Sequence, residues 1–353
     1  KLVEHQYEVI LVPADDIDEA FTLIRQAMQE ITERFPDASL IADYTGGTKT
    51  MTAALVTAVL ETTGVELQLV TGARADLSSV ADSTEYVISA SVDSIRLERS
   101  MQPYINAWRR HAYDEAEQGL ANVFVPRDPN LRSRLNLVRS LSRAFASWDR
   151  FEHQGAQKGL ETYRQRIGAS YSRYLNALKI MTDENQPGSE ALRLYDLWLN
   201  ACRRSTQGRY DDAVARVYRL IEWTAQWQLR LHTGINTSDV DMSRLPSSIE
   251  LSKDPQGRHQ AGLFKSWQMI EQMFEGPCAN FIQANGEILR THIKLRNDSI
   301  LAHGYTPIDA ASWRRIEDWL KQAFIPMLED LVRIDGGIKF DLAALQLPTE
   351  PLQ

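Results

Sequence analysis

Hydrophobic periodicity changes near residue 93 and divides this chain into two kinds of structure. Before that point, short apolar runs alternate with segments whose apolar residues recur every three or four positions. Strands that alternate with helices indicate a parallel, doubly wound sheet, an α/β fold of Rossmann type. The predicted strands are 7–12, 39–43, 65–70 and 86–91, and the predicted helices are 17–35 and 49–62.

Beyond residue 93, helical periodicity continues almost to the C-terminus. We expect an α/β domain at 1–93, a helical connector at 94–206 and an all-α domain at 207–345. Residues 233–262, which contain several Gly and Pro, are expected to form a loop-rich insertion. The predicted helices are 95–121, 130–154, 157–183, 189–206, one that opens at 207–212, 263–275, 280–303, 310–332 and, briefly, 341–345.

Composition excludes several classes of protein. A net charge of −8 over 353 residues argues against a broad nonspecific nucleic-acid binder, although a small basic groove remains compatible with it. Cys202 and Cys278 supply neither a disulfide framework nor a zinc cluster, and no His or Cys grouping has metal-ligand spacing. No apolar run approaches the roughly 20 residues that span a membrane. We therefore expect a cytoplasmic protein without a metal cofactor and without membrane attachment.

A Gly–Gly pair lies between the second predicted strand and its helix. In α/β sheets, ligands bind beyond the carboxyl ends of the strands, and a helix N-terminus favours anions. Thr48 precedes Lys49, so the loop is not a Walker A motif, which has Gly at that position. An ordinary strand-to-helix turn with a Thr cap explains the pattern equally well. The candidate ligand-binding residues are Thr45, Gly46, Gly47, Thr48, Lys49 and Thr50.

Arg296 and His303 are the strongest candidates for chemistry. They are seven residues apart in the predicted helix 280–303, so two turns return them to one face, about 10 Å apart along the axis. Histidine transfers protons near neutral pH, and a guanidinium stabilises a phosphorane, so the pair suits metal-free RNA cleavage with Asn297 as an orienting group. A surface ion pair with a terminal His facing the helix dipole is the alternative reading.

Two motifs carry a resemblance to known families. Arg296-Asn297 followed by His303 resembles the R-x4–6-H signature of HEPN ribonucleases, and residues 207–223 resemble the early helix of that domain. Residues 43–55 resemble the ligand loop of CARF domains in CRISPR-associated proteins, and Gly72 lies where that family has a Gly-rich stretch. CARF domains open with a further strand, loop and helix, none of which precedes Tyr7, so the first strand unit is expected to be missing.

The resemblance implies a CARF–HEPN protein of type III CRISPR antiviral defence. Such a protein is a metal-independent endoribonuclease and a homodimer, activated allosterically by a cyclic oligoadenylate, here expected to be cyclic tetra-adenylate. It cuts single-stranded RNA and leaves 2′,3′-cyclic phosphate ends. The implied catalytic residues are Arg296, Asn297 and His303, and the implied ligand site is the loop 45–50 with Gly72. The alternatives are a non-catalytic sensor whose helical domain binds a partner, and a nucleotide-binding transcription regulator.

Two further residue sets have open roles. Arg219 and Glu222 are three residues apart on a predicted helix, and we expect a surface ion pair in preference to a direct catalytic role. His292 falls on the same predicted face as Arg296, so it is either a group that supports the site or an ordinary packed histidine.

Overall fold

The computed structural model describes residues 7–73, 83–301 and 304–352. The chain forms two compact units. The N-terminal unit comprises residues up to Pro103 together with Asn122–Leu135, and the helical unit comprises Tyr104–Ala121 and Asn136–Gln353. The expected order, an α/β part followed by a helical part, is confirmed.

The N-terminal unit has three described strands in the order β1-β2-β3. β1 runs parallel to β2, with Leu40 opposite Val65, whereas β3 runs antiparallel to β2, with Leu67 opposite Ala90. The fully parallel sheet expected from the sequence is thus wrong at its last strand, and an antiparallel edge strand is common in such sheets. Its elements are α1 (Ile17–Arg34), β1 (Leu40–Asp43), α2 (Lys49–Glu61), β2 (Val65–Thr71) and β3 (Tyr86–Ala90).

Apolar residues of α1, α2 and β2 make the core of this unit. Met28, Ala58, Val59, Val65 and Leu67 are all buried in one cluster. The spacing of the apolar residues in α1 explains why this helix turns one side toward the core, whereas α2 is apolar over most of its length. The helices thereby present the β1–α2 loop at the carboxyl edge of β1.

The predicted strand at 7–12 is wrong. Residues 7–14 form no regular element, and Val9 and Leu11 are 72% and 87% exposed. An apolar run becomes a strand only when a neighbouring strand takes up its backbone hydrogen bonds. Among the described residues, no strand pairs with this segment.

Several helices after residue 93 are shorter than the sequence suggests, whereas the helix predicted at 189–206 forms over that whole range. His111 and Phe151 have φ values of 56° and 65°, and each reverses the chain inside a predicted helical stretch. The helices are α3 (Asp93–Arg109), α4 (Tyr113–Ala121), α5 (Pro129–Asp149), α6 (His153–Thr162), α7 (Arg164–Ile167), α8 (Ser172–Thr182), α9 (Gly188–Thr206), α10 (Tyr210–Thr233), α11 (Leu263–Met273), α12 (Pro277–Asn297), α13 (Ala310–Trp319) and α14 (Ile325–Ile334).

A buried ionic network ties the centre of the helical unit together. Arg203 donates to Asp149 at 2.7 Å and to Asp196 at 3.2 Å, and all three side chains are at least 97% buried. Arg216 of α10 donates to Asn200 of α9, which itself donates to Asp149 at 2.7 Å. Because buried charges are tolerated only when paired, this network fixes α5, α9 and α10 against one another.

The C-terminal segment closes over the same region. Gln346 accepts a hydrogen bond from Arg203 at 3.0 Å, and Tyr113 donates to the carbonyl of Pro348 at 2.7 Å. The ring of His111 lies 3.2 Å from the carbonyl of Leu347. Within the residues described, no helix combines the length and the apolar character needed to cross a membrane.

Candidate functional site

The loop after β1 is held by its own polar side chains. Asp43 accepts a hydrogen bond from the Thr45 N–H at 2.8 Å, and the Thr45 hydroxyl accepts from the Val70 N–H at 2.6 Å. Hydrogen bonds from the side chain and then the backbone of Thr45 lower the pKa of Asp43 from its ordinary value. The loop is therefore tied to the end of β2 as well as to β1.

The glycine pair and Thr48 shape the entry to α2. Thr48 is the N-cap; it accepts from the Met51 N–H at 3.2 Å and donates to the Ala14 carbonyl at 2.8 Å. Gly47 has φ +92°, a conformation that side chains rarely adopt, whereas a Cβ on Gly46 would meet nothing within 4 Å. The backbone at Gly46 is thus open to an incoming group, and Gly47 provides the turn.

Two cavities border this loop. One, of about 310 Å³, is mainly apolar and lies between α1 and α2, with Met28 and Met51 in its lining. The other, of about 490 Å³, is lined by Tyr44, Lys49 and Thr52 among others. Both include Gly47. The loop therefore has open space on either side.

The remaining predicted ligand residues lie at the same edge of the sheet. Lys49 and Thr50 begin α2. Gly72 directly follows β2, which is parallel to β1, so the ends of these two strands meet at one edge. The structure thus brings Gly72 to the same edge as the β1–α2 loop.

Helix α12 ends earlier than predicted. It stops at Asn297, with Asp298 as C-cap; turns follow at 298, 300 and 301, and Ser299 forms an isolated bridge with Thr306. The Ser299 hydroxyl donates to the Arg296 carbonyl at 2.7 Å and so competes with continuation of the helix. Gly304 approaches so closely that a Cβ there would lie 1.8 Å from the Asp298 carbonyl oxygen.

The helical alignment of Arg296 with His303 is therefore wrong. The helix ends at Asn297, six residues before His303, so a seven-residue spacing no longer means two helical turns. His303 itself lies outside the described residues. Arg296 and Asn297 remain adjacent at the end of α12, and the Arg296 Nη1 donates to the Asn297 Oδ1 at 3.1 Å.

Tyr218 of α10 contacts Arg296, a contact that the sequence did not reveal. The guanidinium carbon of Arg296 lies 4.4 Å from the centre of its ring, within the range of a cation–π contact. Burial raises the pKa of Tyr218, Glu222 adds to this, and Arg296 opposes it. The only sequence signal was an aromatic residue four positions before Glu222, which is too common to point to Arg296.

The neighbouring residues behave as surface and packing groups. Arg219 and Glu222 form the predicted ion pair at 2.8 Å, and Arg219 also donates to Gln226 at 3.0 Å. The ring of His292 lies 4.7 Å from that of Trp319, and burial lowers the pKa of His292. His292 thus packs against α13.

Large apolar side chains remain exposed before and after Arg296. Tyr305 is 94% exposed. Exposed apolar side chains that form one patch often mark an interaction site, whereas single ones are ordinary. The others are Ile288, Ile300 and Leu301.

Comparison with known protein families finds a match for each of two helical parts of the chain. The model of the Csm6 6H domain matches residues 98–186, and the model of the Csm6 HEPN domain matches residues 183–325. Together these matches span about two-thirds of the chain. No curated protein matches it.

A solved structure has the same fold along most of its length. It is Enterococcus italicus Csm6 bound to cyclic hexa-2′-fluoro-hexa-dAMP, with a TM-score of 0.62 at 15% identity. The match covers 96% of this chain and 80% of that one. The shared fold agrees with the two adjoining domain matches, and it is these matches, over about two-thirds of the chain, that show that the chain belongs to the Csm6 family of CRISPR-associated CARF–HEPN proteins.

Proposed function

We propose that this CRISPR-associated ribonuclease sensor is a metal-independent endoribonuclease that a cyclic oligoadenylate activates. The observation that carries the proposal is the position of Arg296 and Asn297 inside the HEPN match at 183–325, with Arg296 over Tyr218. Guanidinium, amide and aromatic groups at a helix end are suited to binding a phosphodiester.

The proposed reaction uses the ribose as nucleophile. The 2′-OH attacks the adjacent phosphorus, the P–O5′ bond breaks, and the 5′-oxygen receives a proton. Arg296 stabilises the charge that develops on the phosphorane, since one of its nitrogens is bound to Asn297 and other N–H groups remain available. Asn297 orients the phosphate or the ribose, and His303 transfers a proton. The products are 2′,3′-cyclic phosphate and 5′-OH ends.

A homodimer completes the proposed catalytic site. The exposed residues Ile288, Ile300, Leu301 and Tyr305 support this, because a second copy would remove their apolar surface from water. A two-fold axis at this position places Arg296 of each protomer near its partner. The substrate is single-stranded RNA.

The proposed activator site is the loop 45–50 with Gly72. The open backbone at Gly46, the N-terminus of α2 and the exposed Lys49 suit phosphate groups. An even-membered ring suits a two-fold site. We favour cyclic tetra-adenylate, while the Enterococcus italicus protein holds an analogue with six nucleotides.

Activation requires that the ligand bind two arrangements of the protein with different affinity. Helices α3 and α5 each contribute residues to both units, so the chain itself offers a path for this coupling. We propose that the helices between residues 94 and 206 carry it to the end of α12.

The test is cleavage of labelled single-stranded RNA in EDTA with cyclic tri-, tetra- or hexa-adenylate. We expect activity with an even-membered ring and its loss in Arg296→Ala, whereas Arg314→Ala, an exposed arginine on α13, remains active. Cleavage that requires Mg²⁺ and leaves 5′-phosphate ends would contradict the mechanism. Intact, ligand-binding protein that never cuts RNA would favour a non-catalytic sensor.

A further inference from the structure

A groove opens in the helical unit between the α8–α9 connection and α10. Its volume is about 550 Å³. Trp223, Trp227 and Arg230 of α10 line one side, and Glu190 and Arg193 of α9 line the other. Aromatic rings and guanidinium groups thus face one space of nucleotide size.

Glu190 holds two of these side chains in place. It accepts from the Trp223 indole N–H at 2.6 Å and from Arg230 at 2.5 Å. Trp223 is half-buried, and the Arg230 side chain is 51% exposed. A guanidinium has five N–H donors, so Arg230 keeps donors for an acceptor in the groove.

Two arginines and two glutamates line the groove, so its formal charges balance, but the two arginines are not paired equally closely. Arg230 is neutralised by Glu190, but Arg193 lies 4.0 Å from its nearest carboxylate, Glu184, at the outer limit of an ion pair. Arg193 is held by other partners, the Met181 carbonyl and the Ser189 hydroxyl, both at 2.9 Å. Arg193 is therefore the more loosely paired of the two arginines, and its counter-ion Glu184 is exposed, so a phosphate in the groove could compete for it.

One side of α10 connects this groove to Arg296. Tyr218, Glu222 and Gln226 are four residues apart, so they follow one another along the helix surface. Arg219 donates to Glu222 and Gln226 and lies 5.6 Å from the centre of the Trp223 ring. From Tyr218 to Arg230 this surface extends about 18 Å along the helix axis.

Resting on the proposed ribonuclease function, we propose that the groove binds a nucleotide of the RNA substrate away from the scissile phosphate. The base stacks at Trp223, and its phosphate is met by Arg230 and Arg193. Proteins that hold single strands combine aromatic platforms with basic side chains that contact the backbone, and stacking tolerates every base. The groove therefore adds affinity for long RNA without choosing a sequence.

The experiment compares Trp223→Ala, Trp223→Phe and Arg230→Gln in the full chain, with Arg315→Gln on α13 as the control outside the groove. Initial rates with a long single-stranded RNA and with a dinucleotide give kcat and KM for each. We expect Trp223→Ala to raise KM for the long RNA about 5- to 150-fold, the range for loss of one stacked base, and to leave cleavage of the dinucleotide unchanged. Trp223→Phe keeps most of the affinity, and Arg230→Gln makes KM less sensitive to salt.

Three results separate the possibilities. The inference is overturned if KM for long RNA is unchanged in both Trp223→Ala and Arg230→Gln. Arg230 is exposed, so Arg230→Gln is expected to fold and can be tested even if Trp223→Ala does not. If these variants dissociate into monomers while the remaining dimer binds RNA with unchanged affinity, the groove is a protein interface. That result also overturns the inference. If even the wild type does not cut RNA, the proposed function fails, and fluorescence anisotropy of labelled RNA on the same variants still tests the groove.

Discussion

The guanidinium of Arg296, at the end of α12, lies 4.4 Å above the ring of Tyr218 in the middle of α10. The two residues are far apart in sequence, and the contact joins the helix that carries Arg296 and Asn297 to the helix that carries the groove. It orients Arg296 while leaving N–H groups free for a phosphate.

Replacing Tyr218 is expected to impair cleavage through Arg296. Tyr218→Leu removes the ring, and loss of a cation–π contact of about 0.5–2 kcal/mol corresponds to a 2- to 30-fold lower kcat. Tyr218→Phe keeps the ring and should stay close to wild type. Single-turnover RNA cleavage measures both, and equal rates for Tyr218→Leu and wild type would show that the contact has no role.

Gly47 and Gly46 are expected to respond differently to alanine. Gly47 has φ +92°, so Gly47→Ala strains the loop by about 1–2 kcal/mol. Gly46→Ala meets no atom of the protein within 4 Å and serves as the matched control for stability alone, because Gly46 belongs to the proposed activator site. We expect a lower midpoint of thermal unfolding and weaker cyclic oligoadenylate binding for Gly47→Ala. The same midpoint in both variants would contradict this.

Removing one member of the buried ionic network is expected to destabilise the helical unit. Asp149→Ala leaves Arg203 and Arg204 buried without this partner, at a cost of about 3–5 kcal/mol in the free energy of unfolding. Glu317→Ala breaks the surface pair with Lys321 and should cost about 0–1 kcal/mol. Urea denaturation, monitored by far-ultraviolet circular dichroism, gives the free energy of unfolding of both variants. Similar losses in the two would show that the buried network does not contribute the expected stability.

His111 is expected to make the protein less stable in mild acid. Burial and then Arg203 lower its pKa from 6.5, against the opposing effects of the Leu347 carbonyl and Asp149. The unfolded chain binds the proton more readily, so stability is complete above the unfolded pKa and is lost as pH falls from there toward the folded pKa. The midpoint of thermal unfolding, measured between pH 7.5 and about 5, should fall less steeply with pH in His111→Gln than in the wild type. An equal slope in both would show that His111 does not cause the loss of stability in acid.

The exposed apolar residues around α12 are expected to hold two copies together. Tyr305→Glu places a charge on this surface, and we expect it to weaken the dimer and to lower cleavage with it. The control is Ile334→Glu, because Ile334 is an exposed apolar residue, at 71%, elsewhere in the helical unit. Light scattering measures the mass of each, and a dimer that survives Tyr305→Glu would locate the interface elsewhere.

Local patterns in the sequence were sufficient for several parts of the structure. The apolar spacing of α1 and α10, and the Thr48 cap that opens α2, depend on residues within a few positions of one another. The same holds for the ion pair of Arg219 with Glu222. The loop with its glycine pair was therefore expected at the carboxyl end of a strand, which is where it lies.

Only the tertiary structure decided which of these elements meet. The run at 7–12 is apolar enough for a strand but finds no pairing partner among the described residues, and β3 pairs in the antiparallel direction. Helix α12 stops at Asn297 because Ser299 and the approach of Gly304 favour a turn over the helical continuation that periodicity suggested. The contacts of Arg296 with Tyr218 and of Trp223 with Glu190 join distant parts of the chain. Periodicity reports which face of an element is apolar, whereas the partner of that face depends on packing among elements far apart in sequence.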